Sequence, residues 1–381
     1  MRLAFLGDVY LSDEMLAARV ESGRFDLFES VRNRIGPDGL IIANVEFALS
    51  ERPSPHPFKW ATLCSSPAIV EHLEPVSVAV VANNHAGDAG IPGLEDTVSN
   101  LKRAGIKTLG YGSSLEHALE PCILESEQGK VGIVALCCLT TNSQSIATHT
   151  EPGVPPISVQ TLRRAISKAK KEADFIIVFL HWGCEQSPYP VPDQIRLGRL
   201  AVDAGAHAVV GCHAHVIQTY EKYKDCWIFH GIGNYFFSPV DARSFQDGRF
   251  VTNVKIDHAE PNRKSLVPVF EVRRDKLELA DLLVTEWEGV QAPSIKEGPD
   301  ALTNLKRINA RLERWLVWNP RKLRSVEEPV FRCKLHNGVV AYHYASPPIY
   351  RDWSIRNLAS RAYRRLWREF ASIRRVKQLP S

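Results

Sequence analysis

Along the chain, short uninterrupted apolar runs alternate with stretches in which apolar residues recur every three or four positions. The runs at residues 3–6, 40–43, 76–82, 131–136, 175–180 and 208–210 are continuous and rich in Val, Ile and Leu. Such runs predict strands buried on both faces of a sheet. Between them the spacing predicts helices over 14–20, 92–104, 159–172 and 192–204, with Gly105 and Gly205 as stop signals after two of them. This alternation predicts an α/β core. Residues 250–284 read differently: runs at 250–256 and 267–272 suggest antiparallel strands that finish a second sheet. Beyond them lie a helix over 300–315, with Leu302, Leu305, Ile308, Leu312 and Trp315 on one face, and a hairpin over 330–343 turning at Asn337-Gly338. An amphipathic helix follows over 354–377. The pattern divides the chain at about residue 290, into a domain over 1–290 and a C-terminal extension over 291–381.

Polar clusters stand at the carboxyl ends of the predicted strands, where open α/β sheets form their ligand crevice. They are Gly7-Asp8, Asn44-Val45-Glu46, Asn83-Asn84-His85 with Asp88 one turn on, His181-Trp182-Gly183-Cys184-Glu185, and His213-Ala214-His215. Each has a structural reading taken singly. Gly-Asp is a common turn, Glu46 a loop charge, Asn84-His85 a helix cap, and His181 a structural histidine. His-x-His is the stronger signal, because alternate residues of an extended chain project to one side. Five such clusters converging in space form a carboxylate, carboxamide and imidazole set, which suits Mn, Fe or Zn. Arg52, Lys59 and Trp60 follow Glu46 and read either as a contact for an anionic substrate or as an ordinary surface loop. Trp182 reads as packing or as pocket wall.

Composition narrows the class without naming a function. With 44% hydrophobic and 24% charged residues the 381-residue chain is globular in type. Its net charge of +4 does not by itself imply nucleic acid, and none is expected as partner. Residues 351–377 hold nine Arg/Lys against Asp352 and Glu369, so they carry +7. That helix reads as packed on the body of the protein, or as a peripheral contact with an anionic membrane. The first apolar run is too short for a signal peptide, and no run reaches the length of a membrane span. Eight cysteines show neither CxxC nor regular spacing, which points to reduced thiols and a cytoplasmic location.

The series GDVYL, NVEF, ANNHAGDAG, FLHWGCE, GCHAHVIQ and GIGNYFFS, spread over roughly the first 240 residues, resembles the bacterial capsule-synthesis family CapA, linked to poly-γ-glutamate synthesis. That family in turn resembles calcineurin-like metallophosphoesterases. The resemblance implies a four-layer α-β-β-α sandwich and two divalent metal ions. Asp8 and His215 would hold the first ion and Glu46 would bridge. Asn84, His181 and His213 would complete the second. His85 would act above the pair as general acid or phosphate-orienting group, Asp88 would orient His85, and Asn234 would brace the site. Two departures stand out. Asp8 is followed by Val9-Tyr10 where the superfamily has Asp-x-His, and Glu46 replaces a bridging aspartate. The implied activity is hydrolysis of a phosphorylated or polyanionic substrate, small molecule or polymer, by metal-activated water. The same residues leave open a γ-glutamyl amide hydrolase and a non-catalytic accessory protein of capsular polymer synthesis.

Overall fold

The computed structural model describes residues 1–20, 26–52, 61–139, 145–246, 249–273, 275–289 and 291–297, with parts of 303–310 and 334–341. Two compact units are distinguished. The larger comprises 1–55, 63–239 and 257–331. The smaller comprises 56–62, 240–256 and 332–381.

The larger unit is built on two sheets. In the first, strands Arg2–Tyr10, Leu40–Val45, Val78–Val80 and Lys107–Leu109 run parallel in that order. The antiparallel strands Lys264–Arg273, Lys276–Glu286 and Ser294–Ile295 extend the sheet on the other side of Arg2–Tyr10. The second sheet orders Tyr220–Tyr223, Cys226–Phe229, Ala208–Cys212, Phe175–His181, Gly129–Cys137 and Cys122–Ser126, with a parallel centre and antiparallel edges.

The sheets meet through aromatic residues. Phe5 of the first lies 6.3 Å from Phe179 of the second, and Phe270 lies 6.3 Å from Phe229 (ring centroids). Alternate residues of Phe175–His181 point the other way. Ile176, Val178 and Leu180 pack with Leu162 and Ile166 of helix Val159–Ala169 and with Leu197 and Ala201 of helix Pro192–Asp203. Both faces of the strand are thus covered, which is why its sequence is apolar without alternation. Helix Val159–Ala169 begins where Ser158 accepts the Thr161 N–H at 3.0 Å, a capping box. Helices Glu29–Ile35 and Gly90–Arg103 pack against the first sheet. The arrangement is the helix-flanked two-sheet α/β fold expected from the sequence.

Several elements differ from the sequence reading. The runs 250–256 and 267–272 do not finish the second sheet. The latter lies in Lys264–Arg273 and pairs with Arg2–Tyr10 in the first sheet. The former lies in Arg249–Ile256, which forms a separate hairpin with Val240–Gln246 in the smaller unit. Period alone reports that a segment is extended, not which edge it joins. Helix Glu29–Ile35 and the hairpin strands Cys122–Ser126 and Tyr220–Tyr223 were not expected, being short and only partly apolar. Lys334–His336 and Val339–Ala341 pair antiparallel within the expected hairpin. Asn337-Gly338, most of the expected helix 300–315 and all of 354–377 lie outside the described residues. Among the described residues no helix is long and apolar enough to cross a membrane.

One ion pair ties a helix to the edge of the second sheet. Arg199 donates to both Glu221 oxygens, with Nη2 at 2.6 Å from Oε2, and 11% of the Glu221 side chain is exposed. Burial raises the Glu221 carboxyl, but His230 and Arg199 outweigh it and hold it below its usual value. A depressed carboxylate contributes stability above its unfolded value, ~4.3, and loses it as pH falls through the folded value. Glu221→Gln is therefore expected to cost roughly 1.5–3 kcal/mol at neutral pH. The gap should be full at neutral pH and narrower at an acidic pH below about 4.3, shrinking further as pH falls through the folded value. Urea unfolding at both pH values checks this, and a pH-independent gap would contradict it.

Candidate metal centre

The parallel strands of both sheets end on one side, and the polar clusters emerge there. Asp8 is not in a turn, as its Gly-Asp context suggests, but inside strand Arg2–Tyr10. Pairing to Leu40–Val45 shifts register between Leu6 and Asp8, and pairing to Asn234–Phe237 shifts between Asp8 and Val9. Such an irregularity re-aims a side chain. Gly7 makes it possible. The Asp8 N–H donates to the Gly233 carbonyl at 3.0 Å, and a Cβ on Gly7 would lie 1.8 Å from that oxygen. Gly7→Ala is expected to displace backbone, cost about 1–3 kcal/mol as overpacking does, and weaken cation binding through Asp8. Thermal unfolding and Mn²⁺ titration of the variant test this; wild-type behaviour in both would contradict it.

Glu46 follows strand Leu40–Val45 and is fully buried, its N–H bonded to the Val9 carbonyl at 2.9 Å. His181 is the last residue of its strand and is paired with Cys212. His213 and His215 come next, but not on extended chain. Their φ angles are 94° and 55°, in the left-handed region. The alternation argument for His-x-His therefore does not apply. Two non-glycine residues are held in a costly conformation, a feature that clusters at functional sites. After strand Val78–Val80 the chain turns, and the Asn83 side chain binds the Val45 carbonyl (2.8 Å), Asn44 (3.2 Å) and the His85 N–H (3.1 Å).

These residues share one small volume. His213 Nδ1 lies 3.1 Å from His181 Nε2, which lies 2.7 Å from Asn84 Oδ1 and 3.6 Å from Glu46 Oε1. On the other side of Glu46, His215 Nε2 stands 3.8 Å away, and His215 Nδ1 is 3.4 Å from Asp8 Oδ2. Asn234 Oδ1 accepts from His215 Nδ1 at 2.9 Å, leaving Nε2 toward Glu46. Asn44 donates to Asp8 Oδ1 at 2.8 Å, and the His213 N–H donates to Oδ2 at 3.2 Å. His85 Nε2 faces Glu46 Oε1 at 4.0 Å, while its Nδ1 is 2.7 Å from Asp88 Oδ2. Asp88 also accepts the Leu63 N–H at 2.6 Å.

Three sets of donors each lie within 4.8 Å of one another: Glu46, His181 and His213; Asp8, Glu46 and His215; Glu185, His213 and His215. Glu46 belongs to the first two. Burial, then the charges of His215 and His85, push His213 well below its usual value. The neutral imidazole this favours keeps a lone pair for a cation. Burial, then Asp8 and Glu46, push the Cys212 thiol well above its usual range, which favours the protonated thiol. Oxygen and imidazole donors facing inward at these separations fit borderline divalent cations.

Residues 2–239 match the model of the family described as bacterial capsule synthesis protein PGA_cap. The chain belongs to the PGA_cap family. Among curated relatives, the PGA biosynthesis protein CapA of Bacillus subtilis is 29% identical over 68% of this chain and 72% of its own length. The capsule biosynthesis protein CapA of Bacillus anthracis is 34% identical over 42% of this chain and 40% of its own. Among solved structures, one described as a novel phosphatase of Mycoplasma pneumoniae aligns with 79% of this chain and 96% of its own, at 14% identity and a TM-score of 0.46.

In this PGA_cap member all eight expected site residues, Asp8, Glu46, Asn84, His85, Asp88, His181, His213 and His215, fall in the cluster. Arg52 does not. It pairs with Asp96 at 3.0 Å, because the intervening loop carries it onto helix Gly90–Arg103. Lys59 and Trp60 lie outside the described residues. Trp182 is buried and donates to the His230 carbonyl at 2.8 Å, so it packs. Asn44, Asn83 and Glu185 were not assigned roles from sequence. Their only signal was position, each lying inside a cluster already noted.

Proposed function

We propose that the chain is a metal-dependent hydrolase of phosphoesters, acting on a phosphorylated or polyanionic substrate in the metabolism of a capsule or polyglutamate-type polymer. The observation that carries this reading is Glu46 buried between His181 and His215, with His213 Nδ1 3.1 Å from His181 Nε2. Glu46, His181, His213 and Asn84 would hold one divalent cation, and Asp8, Glu46 and His215 a second, of the Mn, Fe or Zn type. Bound there, such a pair supplies an activated water and neutralises phosphoryl charge.

The chain's own residues would do the rest. Asp88 accepts the His85 Nδ1 proton and so leaves Nε2 as the working nitrogen. Doubly protonated, with its Nδ1–H donated to the Asp88 carboxylate, His85 would deliver its Nε2 proton to the leaving oxygen. Asn44 and the His213 N–H hold the two Asp8 oxygens in place, and Asn234 holds His215. The polymer context comes from the PGA_cap family and from the names of the two Bacillus relatives.

Elemental analysis of purified protein should find divalent metal. Metal-stripped protein reloaded with Mn²⁺ should cleave p-nitrophenyl phosphate or its bis-ester, and chelator should abolish the activity. Metal binding without turnover on any ester would favour an accessory role. Glutamate release from poly-γ-glutamate would favour amide hydrolysis. Absence of both metal and turnover would end the reading.

A further inference from the structure

The segment after His181 is fastened along its length to the one that carries His213 and His215. The Gln186 N–H donates to the Ala214 carbonyl at 2.8 Å, between the two histidines. Asn262 Nδ2 bridges Gln186 Oε1 (2.8 Å) and the His215 carbonyl (2.9 Å). Gln218 Nε2 donates to the Ser187 carbonyl at 2.9 Å. Gly183 and Gln186 both have positive φ, 100° and 60°. A Cβ at Gly183 would meet the Gln194 amide at 2.6 Å, so the chain passes closely over that side chain. This backbone is over-determined, and what it presents toward His213 is one carboxylate, Glu185.

His213 has two nitrogens and two neighbourhoods. Nδ1 faces the buried interior, 3.1 Å from His181 Nε2. Nε2 faces outward, 4.0 Å from Glu185 Oε1. A hydrogen bond there requires closure by about 1 Å, and the Glu185 side chain, 39% exposed, has the freedom to make it. A neutral imidazole carries one proton. For Nδ1 to offer a lone pair inward, the proton must sit on Nε2, and a carboxylate acceptor there selects that tautomer.

We propose that Glu185 is a positioning residue of the cation site: its carboxylate accepts the Nε2 proton of His213 and thereby presents Nδ1 as the inward donor. The inference rests on the metal reading given above. It assigns Glu185 an indirect role, acting through His213.

The test is calorimetric titration of metal-stripped full-length protein with Mn²⁺, for wild type, Glu185→Ala and Glu185→Gln. Glu185→Ala should bind about 10–100-fold more weakly, as loss of an outer-shell acceptor does. Glu185→Gln keeps a neutral acceptor oxygen and should recover most of that loss. Thermal unfolding of the metal-free variants should match wild type, because the side chain is partly exposed. Wild-type affinity in Glu185→Ala overturns the inference while leaving the metal reading intact. Equal loss in Gln and Ala also overturns it, since charge or direct ligation would then be what matters. Failure of wild type to bind overturns the metal reading and this inference together.

Discussion

Replacing Glu46 with glutamine is expected to strip the centre of its cations and to lower turnover of p-nitrophenyl phosphate by more than about 100-fold, beyond the 10–100-fold typical of outer-shell partners. The carboxylate is fully buried and stands within 4.0 Å of the Nε2 atoms of His181, His215 and His85. It is shared by two of the three donor sets, so its charge serves both. A neutral amide of the same shape keeps the packing but offers one weaker oxygen and places an NH₂ toward imidazole nitrogens. Compared with metal-stripped wild type, the metal-free variant should unfold at the same or a higher temperature, because a buried charge is removed. Loss of metal with retained fold is therefore the diagnostic combination. A Glu46→Gln protein that retains full metal content and full activity would refute the proposed centre.

His85→Asn should leave metal content unchanged and lower kcat by about 10²–10⁴, the usual worth of a positioned proton donor. His85 has its Nδ1 within hydrogen-bond reach of a carboxylate, 2.7 Å from Asp88 Oδ2, while its Nε2 stays 4.0 Å from Glu46. Asp88→Asn should have a smaller effect on kcat, because His85 remains in place but loses the acceptor that selects its tautomer. Asp88 also accepts the Leu63 N–H at 2.6 Å, so this variant should in addition lose some stability. The separation of metal content from kcat is the deciding readout. If His85→Asn loses metal in parallel with activity, His85 belongs among the ligands and not to proton transfer.

Much of the centre was legible because its signals are local. Each cluster follows an apolar run long enough to mark a strand buried on both faces, and such strands end where ligands bind. His181 illustrates this: it closes the run Phe175–Leu180 and is the final residue of the observed strand. Other features had no local signal. Gly-Asp at 7–8 reads as a turn until the carbonyl of Gly233, far along the chain, is seen pressing on Gly7. The left-handed backbone at His213 and His215 is invisible to residue type, since only glycine and asparagine announce such positions. Arg52, close in sequence to Glu46, reads either as a substrate contact or as a surface residue, and its pairing with Asp96 favours the surface reading.

The sequence by itself determined which segments are buried strands, which residues stand at their ends, and the PGA_cap membership those residues announce. Tertiary structure alone decided which sheet the strand Lys264–Arg273 joins, how Asp8 is aimed, and that Glu185 lies beside His213. The physical reason is one of range. Periodicity and residue type report how a segment partitions between water and core, which neighbouring residues settle. Edge pairing, register shifts and the approach of one loop to another depend on groups far apart along the chain, and these are brought together only when the two sheets close on each other.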